Sequence, residues 1–103
     1  MSVTQVTQFD VVPEQVDNFI ELVVVVLDAM RHEPMLRQAM LHGEPRAPHR
    51  FTLSETWEND QDLLSSFKKP HRKRWHSNVT NLLTAERDVT ISWEAPVGTV
   101  GAL

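Results

Sequence analysis

His71 and Trp75 stand four residues apart in the stretch KKPHRKRWHS, so on a helix they share a face. A neutral imidazole beside an indole can take a proton from a phenol or quinol held against the ring. The competing reading of His71 is a structural cap on a helix that starts at Pro70. Upstream, the residues from Arg50 to Glu58 alternate as a strand, with Phe51, Leu53, Glu55 and Trp57 on one face. Trp57 offers either an aromatic wall for a flat substrate or a core tryptophan. Glu55 is a carboxylate among apolar neighbours, and burying it unpaired is costly. It must be paired, reach water or hold a proton, and the last case makes it a candidate acid or base. His76 lies five residues beyond His71, about 140° round a helix, so the two cannot chelate one metal from a regular helix. His32, His42 and His49 show no metal-ligand spacing and read as surface or loop residues.

Half of the chain's ten lysines and arginines fall in the run Lys68, Lys69, Arg72, Lys73 and Arg74. Alone, such a run imitates a nucleic-acid patch. The net charge of −4 and sequence pI near 5.6 argue instead for the solvated side of an amphipathic helix. An electropositive rim that draws anionic substrates is a third reading. The chain has no cysteine, which excludes disulfides, thiolate catalysis and cysteine-ligated metals. There is no glycine-rich phosphate loop, and no Ser–His–Asp arrangement follows from spacing.

These groups need elements to position them. Val3 to Asp10 predicts a strand, with Val3, Gln5, Thr7 and Phe9 on one face and Val6 on the other. Pro13 suits the first turn of a helix running to about His32, whose core stripe is Val16, Phe19, Ile20, Val23, Leu27 and Met30. Leu22, Val25, Val26 and Ala29 widen that stripe beyond what one sheet covers, which suggests a partner subunit or ligand. Pro34 ends the helix. A second strand, Met35 to His42, alternates Leu36, Gln38, Met40 and His42 against Met35, Arg37, Ala39 and Leu41. Gly43 to His49 reads as a turn-rich connection and Arg50 to Glu58 as the third strand. Asn59 or Asp60 caps a helix from Gln61 to about Leu83, interrupted at Pro70. Its apolar anchors are Leu63, Leu64, Phe67, Trp75, Val79, Leu82 and Leu83. Asp88 to Glu94 is the last strand, with Val89, Ile91 and Trp93 on one face. Residues 1–95 form one domain, and residues 96–103 form a tail that orders against a partner.

The order βαββαβ predicts a ferredoxin-like α+β fold, an antiparallel four-stranded sheet with both helices on one face. The other face is left open with some apolar groups on it, so two sheets packing together make a homodimer. With 103 residues there is room for one modest core. No basic start followed by an apolar run is present, and the stretch from Phe19 to Met30 is too short and too charged to span a membrane. A cytoplasmic protein binding neither membrane nor nucleic acid is expected.

The 42 residues RHEPMLRQAMLHGEPRAPHRFTLSETWENDQDLLSSFKKPHR resemble the signature of the antibiotic-biosynthesis-monooxygenase (ABM) family. The matching positions are Arg31, Glu33, Pro34, Arg50, Phe51, Leu53, Glu55, Trp57, Pro70 and His71. Met35 follows Glu-Pro where glycine is usual, Ser66 stands where a histidine is common, and the chain has no tyrosine. The resemblance implies a dimeric α+β barrel with a pocket between helices and sheet in each subunit. It also implies a monooxygenase that oxidises a small aromatic quinol, phenol or polyketide-like molecule with O2 and no cofactor. His71 would be the proton acceptor and Trp57 the stacking wall, with Phe67 and Trp75 lining the pocket and Gln5, Thr7 and Glu55 as polar contacts. A haem-degrading branch supplies an alternative: His76 matches its haem-ligating histidine by spacing from Trp57, although Thr7 stands where that branch has asparagine. A non-catalytic dimer that binds a small ligand is the further alternative.

Overall fold

The computed structural model describes residues 2–93, so the tail expected over 96–103 lies outside the described residues. Strand β1 (Val3–Asp10) leads through a 3-10 turn at Pro13–Gln15 into helix α1 (Val16–Met30). Strands β2 (Leu36–Glu44) and β3 (Ala47–Trp57) follow, then helices α2 (Asp60–Phe67) and α3 (Pro70–Thr80), then strand β4 (Asp88–Trp93). All pairings are antiparallel and the strand order is β2-β3-β1-β4. This is the ferredoxin-like βαββαβ arrangement, with the second helical segment broken in two.

The breaks have local causes. The Asn59 side chain accepts from the Asp62 N–H at 3.0 Å and so caps α2. Pro70 is the first residue of α3, and Lys69 before it is extended, as a residue preceding proline prefers. The expected run to Leu83 stops at Thr80, because the following residues are captured by the end of β1. The Val12 N–H donates to the Leu82 carbonyl at 2.8 Å, Leu83 forms an isolated bridge with Val11, and the Thr84 N–H donates to the Asp10 carbonyl at 2.8 Å.

Two expectations about β2 and β3 are corrected. The connection is a two-residue turn at Pro45–Arg46 rather than a loop from Gly43 to His49. Pro48 is tolerated in β3 because it lies beyond the last β1 pair, Asp10 with Arg50, where no ladder partner on that side is lost. In β2, a bulge sits between the pairs Leu36–Trp57 and Gln38–Thr56. The extra residue, Arg37, shifts the alternation, so Leu36 packs on the core side with Ala39 and Leu41 rather than with Met40 and His42. Arg37 then reaches Glu58 with two hydrogen bonds of 2.7 and 3.0 Å.

The core lies between the helices and one sheet face. Its buried apolar members include Phe9, Phe19, Val23, Val26, Met30, Leu53, Trp57, Leu63, Trp75 and Val79. Phe19 is the aromatic hub, with ring centroids 5.3 Å from Phe9, 5.0 Å from Phe51 and 6.0 Å from Trp75. Val26 belongs to the α1 core stripe, whereas Ile20 sits at its margin, 36% exposed. The opposite sheet face is more polar than its sequence suggested. Register places Thr4, Val6 and Gln8 beside Thr52, Ser54 and Thr56, with Gln38, Met40 and His42 on one flank and Thr90 and Ser92 on the other. Only Val6 and Met40 are apolar in that set. Among the described residues, no helix is long and apolar enough to cross a membrane.

Phe19→Ala removes the hub ring from a fully buried site, and it is expected to cost about 3–5 kcal/mol of unfolding free energy. Val24→Ala, on the exposed side of the same helix, should stay within about 0.5 kcal/mol. Urea denaturation of the two variants checks the contrast.

Candidate functional site

Between the sheet and α3 lies a cavity of about 570 Å³. Its floor is Gln5, Thr7 and Phe9 from β1 with Leu53 and Glu55 from β3. Phe67 closes one end, Arg72, Lys73, Trp75 and His76 of α3 form the roof, and Arg87, Val89 and Ile91 form the side toward β4. Its size suits a small organic ligand. The cavity exists because β4 has no helix above it. Val89 and Ile91 stay 46% and 54% exposed, although register turns them to the same face as Thr7 and Gln5.

Glu55 is the polar centre of the floor and is almost wholly buried. Its Oε2 accepts from Arg72 Nη2 at 3.0 Å and from Gln5 Nε2 at 3.4 Å, and its Oε1 accepts from the Trp57 indole N–H at 3.1 Å. The same Gln5 amide reaches Thr7 Oγ1 at 3.5 Å. Arg72 is also buried, with Nη1 3.0 Å from Met30 Sδ and its guanidinium 5.3 Å from the Phe67 ring centroid. Glu55 is therefore a paired charge with three donors, which answers the desolvation cost of its position.

Five of the residues expected to touch substrate, Gln5, Thr7, Glu55, Phe67 and Trp75, line this cavity. The two expected to be catalytic, His71 and Trp57, are not among its lining residues. Trp57 lies in the core, where its N–H is spent on Glu55. His71 turns toward a second buried carboxylate, Glu33, in the turn that follows α1. Glu33 accepts from Ser66 Oγ at 3.0 Å and forms an ion pair with Lys69. The His71 Nε2 atom is 3.8 Å from Glu33, too long for a hydrogen bond, and it is buried without a partner. Burial holds the His71 imidazole below its ordinary range; Glu33 pulls the other way, and Arg72, Lys69 and Arg74 add to the depression. The ring is thus neutral near pH 7, and its closeness to Glu33 is packing rather than an ion pair.

Three charged cavity residues went unrecognised individually as site residues: Arg72, Lys73 and Arg87. Arg72 looked like part of a solvated basic run, yet it falls three residues before Trp75 and seven before Val79, on the buried stripe of α3. A buried Glu55 needing a cation was the signal that could have found it. Arg87, in the segment before β4, had no such signal. Its Nη1 donates to His76 Nδ1 at 2.9 Å, and its Nη2 donates to Thr80 Oγ1 at 2.6 Å and to the His76 carbonyl at 3.3 Å.

The Arg87 contact decides the tautomer of His76. A guanidinium cannot accept, so Nδ1 must be the acceptor and the neutral ring carries its proton on Nε2. Burial first, and then the Arg87 charge, keep the His76 imidazole below its ordinary range. A haem-ligating histidine needs the reverse arrangement, Nδ1–H donating and Nε2 free for iron. The residues around His76 do not fit a haem. Among the described residues, no group of three or more His, Asp or Glu side chains could hold a metal ion.

Two expected outcomes follow from these charges. Glu55→Ala leaves Arg72 buried without its carboxylate and should destabilise by about 3–5 kcal/mol, while Glu55→Leu combined with Arg72→Met should recover most of the loss; chemical denaturation of both measures this. Both imidazole pKa values are lowered, so the unfolded chain binds more protons below about pH 6.5, where an unfolded histidine titrates. Stability is then full above that pH and falls as pH drops toward the folded values. The urea midpoint should fall between pH 7.5 and 5.5, and His71→Gln with His76→Gln should flatten that fall.

The comparisons agree with this architecture. The family model described as antibiotic biosynthesis monooxygenase matches residues 2–78. A comparison with curated proteins finds no match. A conserved protein from Methanosarcina mazei Go1 superposes with TM-score 0.89 at 20% identity, covering 92% of this chain and 94% of that one. Rv0793 from Mycobacterium tuberculosis superposes with TM-score 0.85 at 21% identity, covering 98% and 100%. A structure described as antibiotic biosynthesis monooxygenase superposes with TM-score 0.85 at 19% identity, covering 91% and 99%. At these identities the superpositions establish the fold, and the match over residues 2–78 establishes the lineage: the chain belongs to the antibiotic biosynthesis monooxygenase family.

Proposed function

We propose that this protein is a monooxygenase that oxidises a flat, electron-rich phenol to a quinone with O2 and no cofactor of its own. The observation that carries the reading is the cavity itself, with aromatic and aliphatic walls (Phe9, Leu53, Phe67, Trp75) and a polar floor of Gln5, Thr7 and the Glu55–Arg72 pair. The family name points to the same chemistry. The phenol lies against Trp75 and Phe67, with its oxygen at the Gln5–Thr7–Arg72 corner. Its proton leaves to solvent, and the cations of the cavity lining that Glu55 does not match, Lys73 and Arg87, favour the phenolate. An electron passes from the ring to O2, the para carbon bonds to oxygen, and the hydroperoxide loses water. The balance is one phenol plus one O2 giving one quinone plus one water. The protein supplies orientation, desolvation and the electrostatics of the anion.

This reading assigns the proton transfer differently from the sequence, because His71 faces Glu33 and His76 Nδ1 is engaged by Arg87. The rate should rise with pH along the titration of the bound phenol, not along an imidazole. His71→Ala is expected to change kcat by less than about threefold, whereas Trp75→Ala should raise KM by about tenfold or more. The assay follows quinone formation from anthrones and naphthols under air and under nitrogen. With labelled O2, one label should enter the quinone and one the water. Oxidation at the buffer rate, or a loss of about a hundredfold in His71→Ala, would overturn the proposal.

We also propose that the protein works as a homodimer. The reading is supported by the edge strand β4, whose Val89, Ile91 and Trp93 are all exposed on the face that carries the cavity. A second copy over this edge would narrow the cavity mouth. Sedimentation at micromolar concentration should give twice the 11.8 kDa chain mass, and a single-chain species alone would refute it.

A further inference from the structure

The cavity carries three cations and one carboxylate. Arg72 is matched by Glu55, which leaves Lys73 and Arg87, and among the described residues neither forms an ion pair with a carboxylate. Arg87 is the more committed of the two. Its neighbours Glu86 and Asp88 point into solvent, and its own hydrogen bonds go to neutral acceptors on α3: His76 Nδ1, the His76 carbonyl and Thr80 Oγ1. These three bonds fix the guanidinium at the cavity side of β4 and leave N–H groups unspent, since the group has five. Its partial burial raises the cost of leaving the charge unmatched. His76 adds to the same corner. Because Nδ1 accepts from Arg87, the neutral ring carries an N–H at Nε2 and is itself a donor.

Position separates this corner from the polar floor. Asp88 pairs with Gln8, so Arg87 stands near the level of Phe9, four residues along β1 from Gln5. Four residues of strand span about 13 Å. Between the two levels the register sets Thr7 opposite Val89, and Trp75 lines the same cavity from α3.

We propose that Arg87 is an anion-recognition residue and that the physiological ligand is an aromatic carboxylic acid. Its carboxylate sits at Arg87 and its apolar ring system spans the cavity toward Gln5 and Arg72. The proposal rests on the reading of this cavity as the site of phenol oxidation and narrows the substrate to one that carries a permanent negative charge away from the reacting ring. Lys73, exposed on α3 at the rim, steers the anion without fixing it. The unspent N–H groups, on Nε and Nη1, can give a carboxylate a charge-assisted hydrogen bond, which a neutral ester cannot match.

The test measures binding of 2-naphthoate and methyl 2-naphthoate at pH 7.5 by tryptophan fluorescence, with Trp75 in the cavity as reporter. The wild-type protein should bind the acid about tenfold tighter than the ester or better, and the preference should shrink with added salt. Arg87→Gln should bring the ratio of the two dissociation constants close to one. Arg87→Lys, which keeps the charge and loses the bonds to His76 and Thr80 that hold the guanidinium in place, should keep part of the preference. Lys73→Gln should lower it less than Arg87→Gln does. Equal binding of acid and ester by wild type overturns the carboxylate site while leaving phenol oxidation standing. So does an acid preference that survives in Arg87→Gln or is lost only in Lys73→Gln. Failure of both probes to bind, with folding confirmed by circular dichroism, overturns the cavity as an aromatic site and removes both readings.

Discussion

The ion pair between Glu55 and Arg72 is the constraint on which the site depends. It joins the middle of β3 to the buried side of α3, and both partners are nearly sealed from water. Neither charge is tolerable there alone. Trp57 and Gln5 complete the carboxylate's hydrogen bonds, while Met30 and the Phe67 ring flank the guanidinium. One pair therefore fixes the height of α3 above the sheet, the rotamer of Trp57 and the orientation of the Gln5 amide. The cavity is the space left beside this pin, where α3 passes over β1 and β4 has no cover.

The same helix holds two histidines in unlike surroundings. His71 is packed into the Glu33 cluster, whose carboxylate already has a serine and a lysine as partners. Ser66 is fully buried where a histidine is common in the family, and its hydroxyl takes one of the carboxylate's bonds. His76, on the cavity side, is oriented by Arg87 and kept neutral by burial and by that positive neighbour. Neither ring presents a free acceptor nitrogen to the cavity. In the proposed oxidation the cavity therefore offers cations and an apolar space rather than a dedicated base, which suits a substrate that supplies its own electrons.

Charge is distributed in a matching way. The chain is acidic as a whole, yet the groups around the cavity are mainly basic. A locally positive, low-dielectric cleft on a negative molecule attracts small anions and gives polyanions no extended surface to follow.

Much of this was legible in the amino-acid order. Alternation in β1 and β3 determined which side chains face the helices, because a strand has only two faces and the one carrying Phe9, Leu53 and Trp57 holds the large apolar groups. Pro13, Pro34 and Pro70 determined where helices begin and end, since each removes an N–H and restricts its neighbour. That made the fold and the five floor and wall residues Gln5, Thr7, Glu55, Phe67 and Trp75 readable in advance. The bulge at Arg37 was not, because one extra residue leaves the apolar pattern almost unchanged while switching the face of Leu36. The roles of His71, Arg72 and Arg87 were decided only by the packed structure. Positions 71 and 72 of a helix lie about 100° apart, and both are compatible with a face containing Trp75. Which one enters the core depended on Glu55 and Glu33, carboxylates 22 residues apart in sequence that reach α3 from different elements. Arg87 depended on a segment whose course is set by hydrogen bonds to α3. Short-range periodicity can assign a residue to a face; only the tertiary fold supplies the opposite charge that determines what the residue does there.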